Sequence, residues 1–333
     1  MDIRNTRQMK TFAAQRLDNA REGKKIAFLF SLITIAVTAA VNIAGYCLSL
    51  QIAKTGGLGS MGLRSVLSTA QTLLPIFQTV FLMCLSLGYL SAMLRIARGQ
   101  YASPNGLRLG FDRFWVLLRC ELLKGLIYGG IGIVSLYAAT MVYMLTPLSD
   151  PAVEILTPLL TGAAASGQTS LLLDDAAYAG LVSAMRPVLA LCAVLFAALS
   201  APLFYRYRMT DYILIDRPGI GAVAALRESR RMMKGSCRKL LRLDLSVWWY
   251  YAAMAASAAL GYGDEILYSL GISLPLSDTA AYFVFFAAYL AAVFAVYYFL
   301  RSRVEVTFAL AYDSIRPREP ENGGAVLGNI FQM

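Results

Sequence analysis

Long apolar blocks, separated by short polar stretches, decide what this chain can fold into. The stretch from Ile26 to Leu50 carries no charged side chain, and comparable blocks recur along the sequence. A helix of about 20 apolar residues crosses a hydrocarbon core about 30 Å thick. In lipid every backbone N–H and C=O must be satisfied within the protein, so only helices and closed barrels span it. Blocks without period-2 alternation mean helices. The composition agrees: 58% hydrophobic and 15% charged, with mean hydropathy +0.58. The fold expected is all-α, a polytopic membrane protein with six transmembrane helices arranged as three hairpins. The spans fall at about 26–50, 73–97, 122–145, 176–205, 245–262 and 279–300. Residues 1–25 precede the membrane domain (26–315) as a cytoplasmic amphipathic helix, and 316–333 follow it as a polar cytoplasmic tail.

Charge sets the orientation. Of 30 Lys and Arg, only Lys54, Arg64 and Arg186 lie on the outer side of this arrangement, and the outer loops are acidic (Asp150, Glu154, Asp174, Asp175, Asp264, Glu265, Asp278). Cytoplasmic loops retain Lys and Arg, so both termini are expected inside. The net charge of +10 is thereby a matter of topology, and no nucleic-acid partner is expected.

Several interfacial features are legible. Met9, Phe12, Ala13, Leu17 and Ala20 recur at helical spacing among basic residues, the pattern of a helix lying in the interface. The stretch Leu226 to Trp249 begins as a basic amphipathic helix, breaks at Gly235, and leads into the apolar segment that follows. Its exposed charges would be Arg227, Arg230, Arg231, Lys234, Arg238 and Lys239. Pro187 and Pro202 should kink the fourth span or end its regular part. Gly125-x-x-x-Gly129 offers a close helix approach. Asn42, Gln78, Thr79, Ser86, Ser135 and Thr140 are candidates for hydrogen bonds between helices. The five cysteines form no C-x-x-C pair and read as small packing residues.

Two pieces echo one another. L-L-R-C-E-L (117–122) matches L-L-R-L-D-L (240–245), each opening an outward helix. F-Y-R-Y-R-M (204–209) matches F-L-R-S-R-V (299–304), each closing an inward one. Arg119 and Glu121, two apart on a helix, do not face each other. Glu121 is therefore expected to meet Arg206 or Arg208, and Asp244, beside Arg242, to meet Arg301 or Arg303. These eight residues form the expected clasps, or headgroup-binding positions, of an internal repeat.

Chemistry-bearing motifs are missing from the sequence. There is no histidine, which removes the commonest general base and metal ligand. No phosphate-binding loop, zinc-protease helix, nucleophile elbow or paired-cysteine motif occurs. Gly219-Ile-Gly221 follows no strand and reads as the entry to a helix. Asp211, Asp216 and Glu228 read as acids in solvated ion pairs. No Asp, Glu, Lys or His stands at the centre of a span, where ion-coupled pumps carry carboxylates. The expectation is no enzyme, no catalytic or metal-binding residue and no cofactor.

The stretch Y-x-Y-x-M-x-D-Y-I-L-I-D-R-P (205–218), then S-R-R-M-M-K-G (229–235) and L-x-L-S-x-x-W from Leu243 to Trp249, resembles the bacterial integral-membrane family catalogued as domain of unknown function 975. The matching positions include Tyr205, Tyr207, Met209, Tyr212, Ile213, Leu214, Ser229, Arg230, Met233, Lys234, Gly235, Leu243, Leu245, Ser246 and Trp249. Ala201-Pro202 stands where the family commonly has Pro-Gly. That family is distantly similar to the membrane domain attached to some glycerophosphodiester phosphodiesterases. The resemblance implies a bacterial inner (plasma) membrane protein. Together with the basic face, it makes anionic lipid headgroups the expected partner, alongside a protein partner or a second copy, in envelope homeostasis or as a complex subunit. The alternative expectation is a transporter or channel for a small or lipid-like solute between the hairpins.

Overall fold

The computed structural model describes residues 5–54, 61–155, 157, 175–270, 272, 275 and 277–316. The expected tail at 317–333, the Gly-rich turn at 56–60 and most of the 156–174 loop lie outside the described residues. The described residues are helical, with no strand among them. Among the described residues, five helices are long and apolar enough to cross a membrane.

Two units can be distinguished: residues 1–118 with 207–333, and residues 119–206. The larger unit begins with α1 (Thr6–Asn19), whose first turn is capped by the Asn5 side chain accepting from the Gln8 N–H at 3.2 Å. The chain bends at Ala20 and enters α2 (Arg21–Lys54), which packs along α3 (Met61–Ala97). The α3 end is closed by Gly99 in the left-handed region, φ +73°, with the Gln100 N–H bonded to the Arg95 carbonyl. A 3-10 turn (Pro104–Arg108) and the single-turn α4 (Leu109–Asp112) then lie against α3. Their approach is backbone to backbone. A Cβ on Gly88 of α3 would run into the Leu107 backbone, and one on Gly110 into the Cys84 carbonyl.

α5 (Phe114–Met144) and α6 (Asp175–Tyr207) form the core of the smaller unit. There Ala139, Tyr143, Ala152 and Val188 are buried together, and the Tyr143 hydroxyl donates to the Ala184 carbonyl at 2.9 Å. α6 runs through both Pro187 and Pro202, which therefore do not end it. The surrounding side chains face outward: Leu126 and Val194, for example, are 73% and 65% exposed. Bare apolar surface of this kind suits a lipid solvent.

The larger unit resumes with α7 (Thr210–Asp216), α8 (Ala222–Met232) and α9 (Cys237–Ser246). α8 and α9 are separated at Gly235, φ +85°, the break expected from the sequence. A second break at Val247 precedes α10 (Trp248–Gly261). With 14 residues, α10 is about 21 Å long, short of a full span, and the seven-residue α11 (Gly263–Ser269) follows. The expected fifth span, 245–262, is therefore interrupted at Val247, with α10 as its regular part. α12 (Asp278–Ala295) starts at Ser277, whose hydroxyl accepts from the Ala280 N–H at 3.3 Å. It passes through a π-helical turn (Val296–Arg301) into α13 (Ser302–Ile315). α12 packs on α2 and α10, while α13 packs on α1 and α3.

Gly88 and Gly110 thus permit close backbone approach. A Cβ at Gly125 or Gly129 would meet nothing within 4 Å. Gly88→Ala or Gly110→Ala should each destabilise by about 1–3 kcal/mol, the usual cost of overpacking, while Gly125→Ala should be neutral or mildly stabilising. Thermal unfolding of the three variants in detergent checks this.

Candidate functional site: two ion clusters and a basic helix pair

The polar side chains gather where α3, α7 and α13 end. Arg98 follows the last turn of α3 and reaches two carboxylates at once. Its Nη1 and Nη2 donate to Asp216 at 2.7 and 2.9 Å, and its Nη2 and Nε to Asp313 at 2.7 and 3.2 Å. Asp216 closes α7 and is almost wholly buried, its side chain 7% exposed. It also accepts from the Tyr312 hydroxyl and from Arg316 Nη1, both at 2.9 Å. Tyr312 stacks on Tyr212 of α7 with centroids 5.1 Å apart. A planar guanidinium with five donors in a fork can give paired hydrogen bonds to two carboxylates at once, which an ammonium with three donors cannot. Hydrogen bonding to Asp216, opposed by burial, holds the Arg98 pKa above its ordinary value, so this cation is permanent.

A second cluster surrounds the π turn. Arg301, its last residue, lies among the rings of Phe30, Tyr297 and Tyr89, at 4.7, 4.7 and 5.6 Å from their centroids. Phe30 and Tyr89 stack at 4.2 Å, joining α2 to α3. Glu305, one turn on, stands 3.4 Å from Arg301 Nε. The Tyr89 hydroxyl is fully buried with no hydrogen-bond partner among the described residues. π turns are rare and concentrate where a helix must present a particular side chain; here that side chain is Arg301.

The expected clasps find different partners. Asp244 meets Arg208, at 3.2 Å, and accepts from the Tyr251 hydroxyl at 2.7 Å. Arg208 stands between α6 and α7 and also covers the Phe308 ring at 4.2 Å. Arg301 is held by Glu305 in its own helix instead. Glu121 takes Lys124, three residues on, at 2.8 Å. The physical reason lies in the helix breaks. The first copy of the echo runs inside the continuous α5, where i,i+3 partners are at hand. The second ends at Val247, and that turn brings Tyr251 back to Asp244. Arg119, Arg206, Arg242 and Arg303 are exposed.

The basic stretch keeps its charges outward. Arg227, Arg230, Arg231, Lys234 and Arg238 are exposed and Lys239 is half-buried. The opposite face is interior: Ala222, Ala225, Leu226 and Ser229 in α8, Leu240 and Leu243 in α9. α8 packs on α7. α1 likewise buries Met9, Ala13 and Leu17, packing on α2, α3 and α13, and Lys10 Nζ donates to the Ser246 carbonyl at the end of α9. Most of the apolar face of each basic helix is therefore used within the protein, with Val223, Leu241 and Leu245 left exposed.

A comparison with family models matches residues 1–318. The chain belongs to the DUF975 family, proteins of unknown function. No curated protein and no solved structure matches it, so the likeness to phosphodiesterase membrane domains gains nothing from these comparisons. Within this DUF975 chain, the motif positions Met209, Tyr212, Ile213, Leu214, Ser229, Met233 and Leu243 are buried. They hold α7–α9 against the bundle. Of the polar residues suggested for contacts between helices, Gln78 reaches Thr38 Oγ1 on α2 at 3.2 Å, whereas Asn42, Thr79 and Thr140 bond within their own helices. No group of His, Cys, Asp and Glu able to hold a metal ion occurs among the described residues.

Sequence reasoning missed the Arg98 cluster. Asp216 was visible inside the family stretch, but its partners lie 118 and 96 positions away at Arg98 and Tyr312. Asp216→Ala should cost about 3 kcal/mol, because it strips a buried acid from Arg98 and Arg316. Asp313→Ala, at a more exposed site, should cost less. By the same reasoning Asp244→Ala should cost about 3 kcal/mol, and Glu121→Gln under about 0.5 kcal/mol, since its pair is a half-exposed i,i+3 contact. Melting temperatures in detergent would rank the four; equal losses for Asp244 and Glu121 would contradict the pairing described.

Proposed function

We propose that this DUF975 protein is a non-enzymatic, multi-pass membrane protein whose basic cytoplasmic face engages anionic lipid headgroups. In this reading six segments cross the bilayer, α10–α11 forming a broken fifth crossing, and both ends of the chain are cytoplasmic. The supporting observation is the division of labour in α8 and α9. Ala222, Ala225, Leu226, Leu240 and Leu243 are buried against the protein, and Arg227, Arg230, Arg231, Lys234, Arg238 and Arg242 remain outward. A helix that still had an apolar face to bury would insert into the interface. Most of that face is committed to the protein and only Val223, Leu241 and Leu245 stay exposed, so their attraction to a membrane is mainly electrostatic, about 1 kcal/mol for each Lys or Arg near an anionic leaflet.

Such attraction is screened by salt and indifferent to acyl chains. The protein in detergent should be thermally stabilised by phosphatidylglycerol and not by phosphatidylcholine, and the difference should shrink at high salt. The combined Arg227→Gln, Arg231→Gln, Lys234→Gln, Arg238→Gln variant should lose most of it. Equal stabilisation by both lipids would refute the reading. Reporter fusions at the two ends test the topology independently.

A further inference from the structure

One open cleft lies apart from the α8–α9 surface. It has a volume of about 600 Å³ and is bounded by the end of α1, the start of α2 and the segment that leaves α3. Its cation is Arg16. This side chain is half-buried, lies across Gly99, and sits 4.9 Å from the Phe12 ring centroid. It has no carboxylate partner among the described residues. The acid that shares the cleft, Glu22, is occupied by Lys25 at 3.0 Å.

The geometry around Arg16 is built for it. Gly99 has φ +73°, and a Cβ there would strike the Arg16 guanidinium. Only glycine both closes α3 in that conformation and leaves the guanidinium its place. Gln15 and Gln100 add amide donors to the lining, while Phe12, Ile96 and Tyr101 add apolar surface. Tyr101 is 75% exposed at the rim.

We propose that this cleft binds a phosphate group carried on a partly apolar body, with Arg16 as the anion-binding residue. The volume falls within the range of organic-ligand sites, far more than a bare anion fills. A guanidinium with amides beside it suits phosphate oxygens. The apolar wall suits the carbon skeleton to which the phosphate is attached. Its position at the cytoplasmic boundary rests on the topology proposed above; the binding itself does not.

Two sources share this chemistry: the headgroup of a membrane phospholipid and a soluble phosphate. Isothermal titration of the detergent-solubilised full chain, at 0.5 M salt to suppress diffuse surface attraction, uses three probes. These are dihexanoyl phosphatidylglycerol below its micellar concentration, glycerol phosphate and inorganic phosphate. Saturable binding of the short-chain lipid, weakened about tenfold by Arg16→Gln and reduced by Tyr101→Ala, assigns a lipid headgroup. The same loss with glycerol phosphate assigns a soluble ligand. Binding of none of the three, or binding that Arg16→Gln leaves unchanged, overturns the proposal. Tyr101 is exposed and Arg16 makes no ion pair among the described residues, so Tyr101→Ala should unfold at the wild-type temperature and Arg16→Gln, which loses its contact with the Phe12 ring, only slightly below it; both temperatures are measured alongside. Failure here with retained phosphatidylglycerol stabilisation at low salt would leave the α8–α9 reading intact.

Discussion

A single guanidinium sets the arrangement of the basic end of this protein. Arg98 binds Asp216 and Asp313 together, so the ends of α3, α7 and α13 cannot separate without exposing or orphaning a buried charge. Loss of one member of such a set is costly because the remaining charges stay desolvated. Everything after α7 inherits this constraint. α8 packs on α7, and α9 receives the Lys10 amine from α1, which itself rests on α13.

The Arg301 cluster ties α2 and α3 to the π turn that precedes α13, by different physics. Its aromatic rings come from α2, α3 and the π turn, and they surround a cation whose acid lies in its own helix. Each such cation–ring contact contributes about 0.5–2 kcal/mol, more where water is excluded. Arg301, the last residue of the π turn between α12 and α13, is half-buried, while Arg303, two residues on, faces out. Between them, the two clusters anchor the helices that carry the outward basic surface.

Much of this was legible residue by residue. The block from Ile26 to Leu50 reads as a spanning helix, and α2 covers it. Gly235 reads as a break, and it has positive φ. Met9, Phe12, Ala13, Leu17 and Ala20 read as the apolar face of an interfacial helix, and of these Met9, Ala13 and Leu17 are buried. What covers that face was not legible. An interfacial helix and a helix docked on a bundle share one periodicity, because both need only a stripe of apolar residues. The echoed L-L-R-x-acid-L pattern misled for a related reason. The same local pattern sits in a continuous helix at Glu121 and before a break at Asp244, and the break decides the partner.

Apolar block length, helical periodicity and charge distribution are properties of the sequence itself, and they determined a helical membrane-type protein with a basic end. These are local quantities, summed over neighbouring residues. Ion partners are not local. Asp216 and Asp313 lie 118 and 215 positions from Arg98, and Arg16 meets Gly99 only because α1 folds back along α3. Which of 30 cations meets which acid depends on where helix ends arrive in space, and helix breaks such as Val247 shift those ends by angles no residue count supplies. Only the tertiary structure could decide that Arg98 is shared, that Asp244 belongs to Arg208, and that Arg16 is left facing an open cleft.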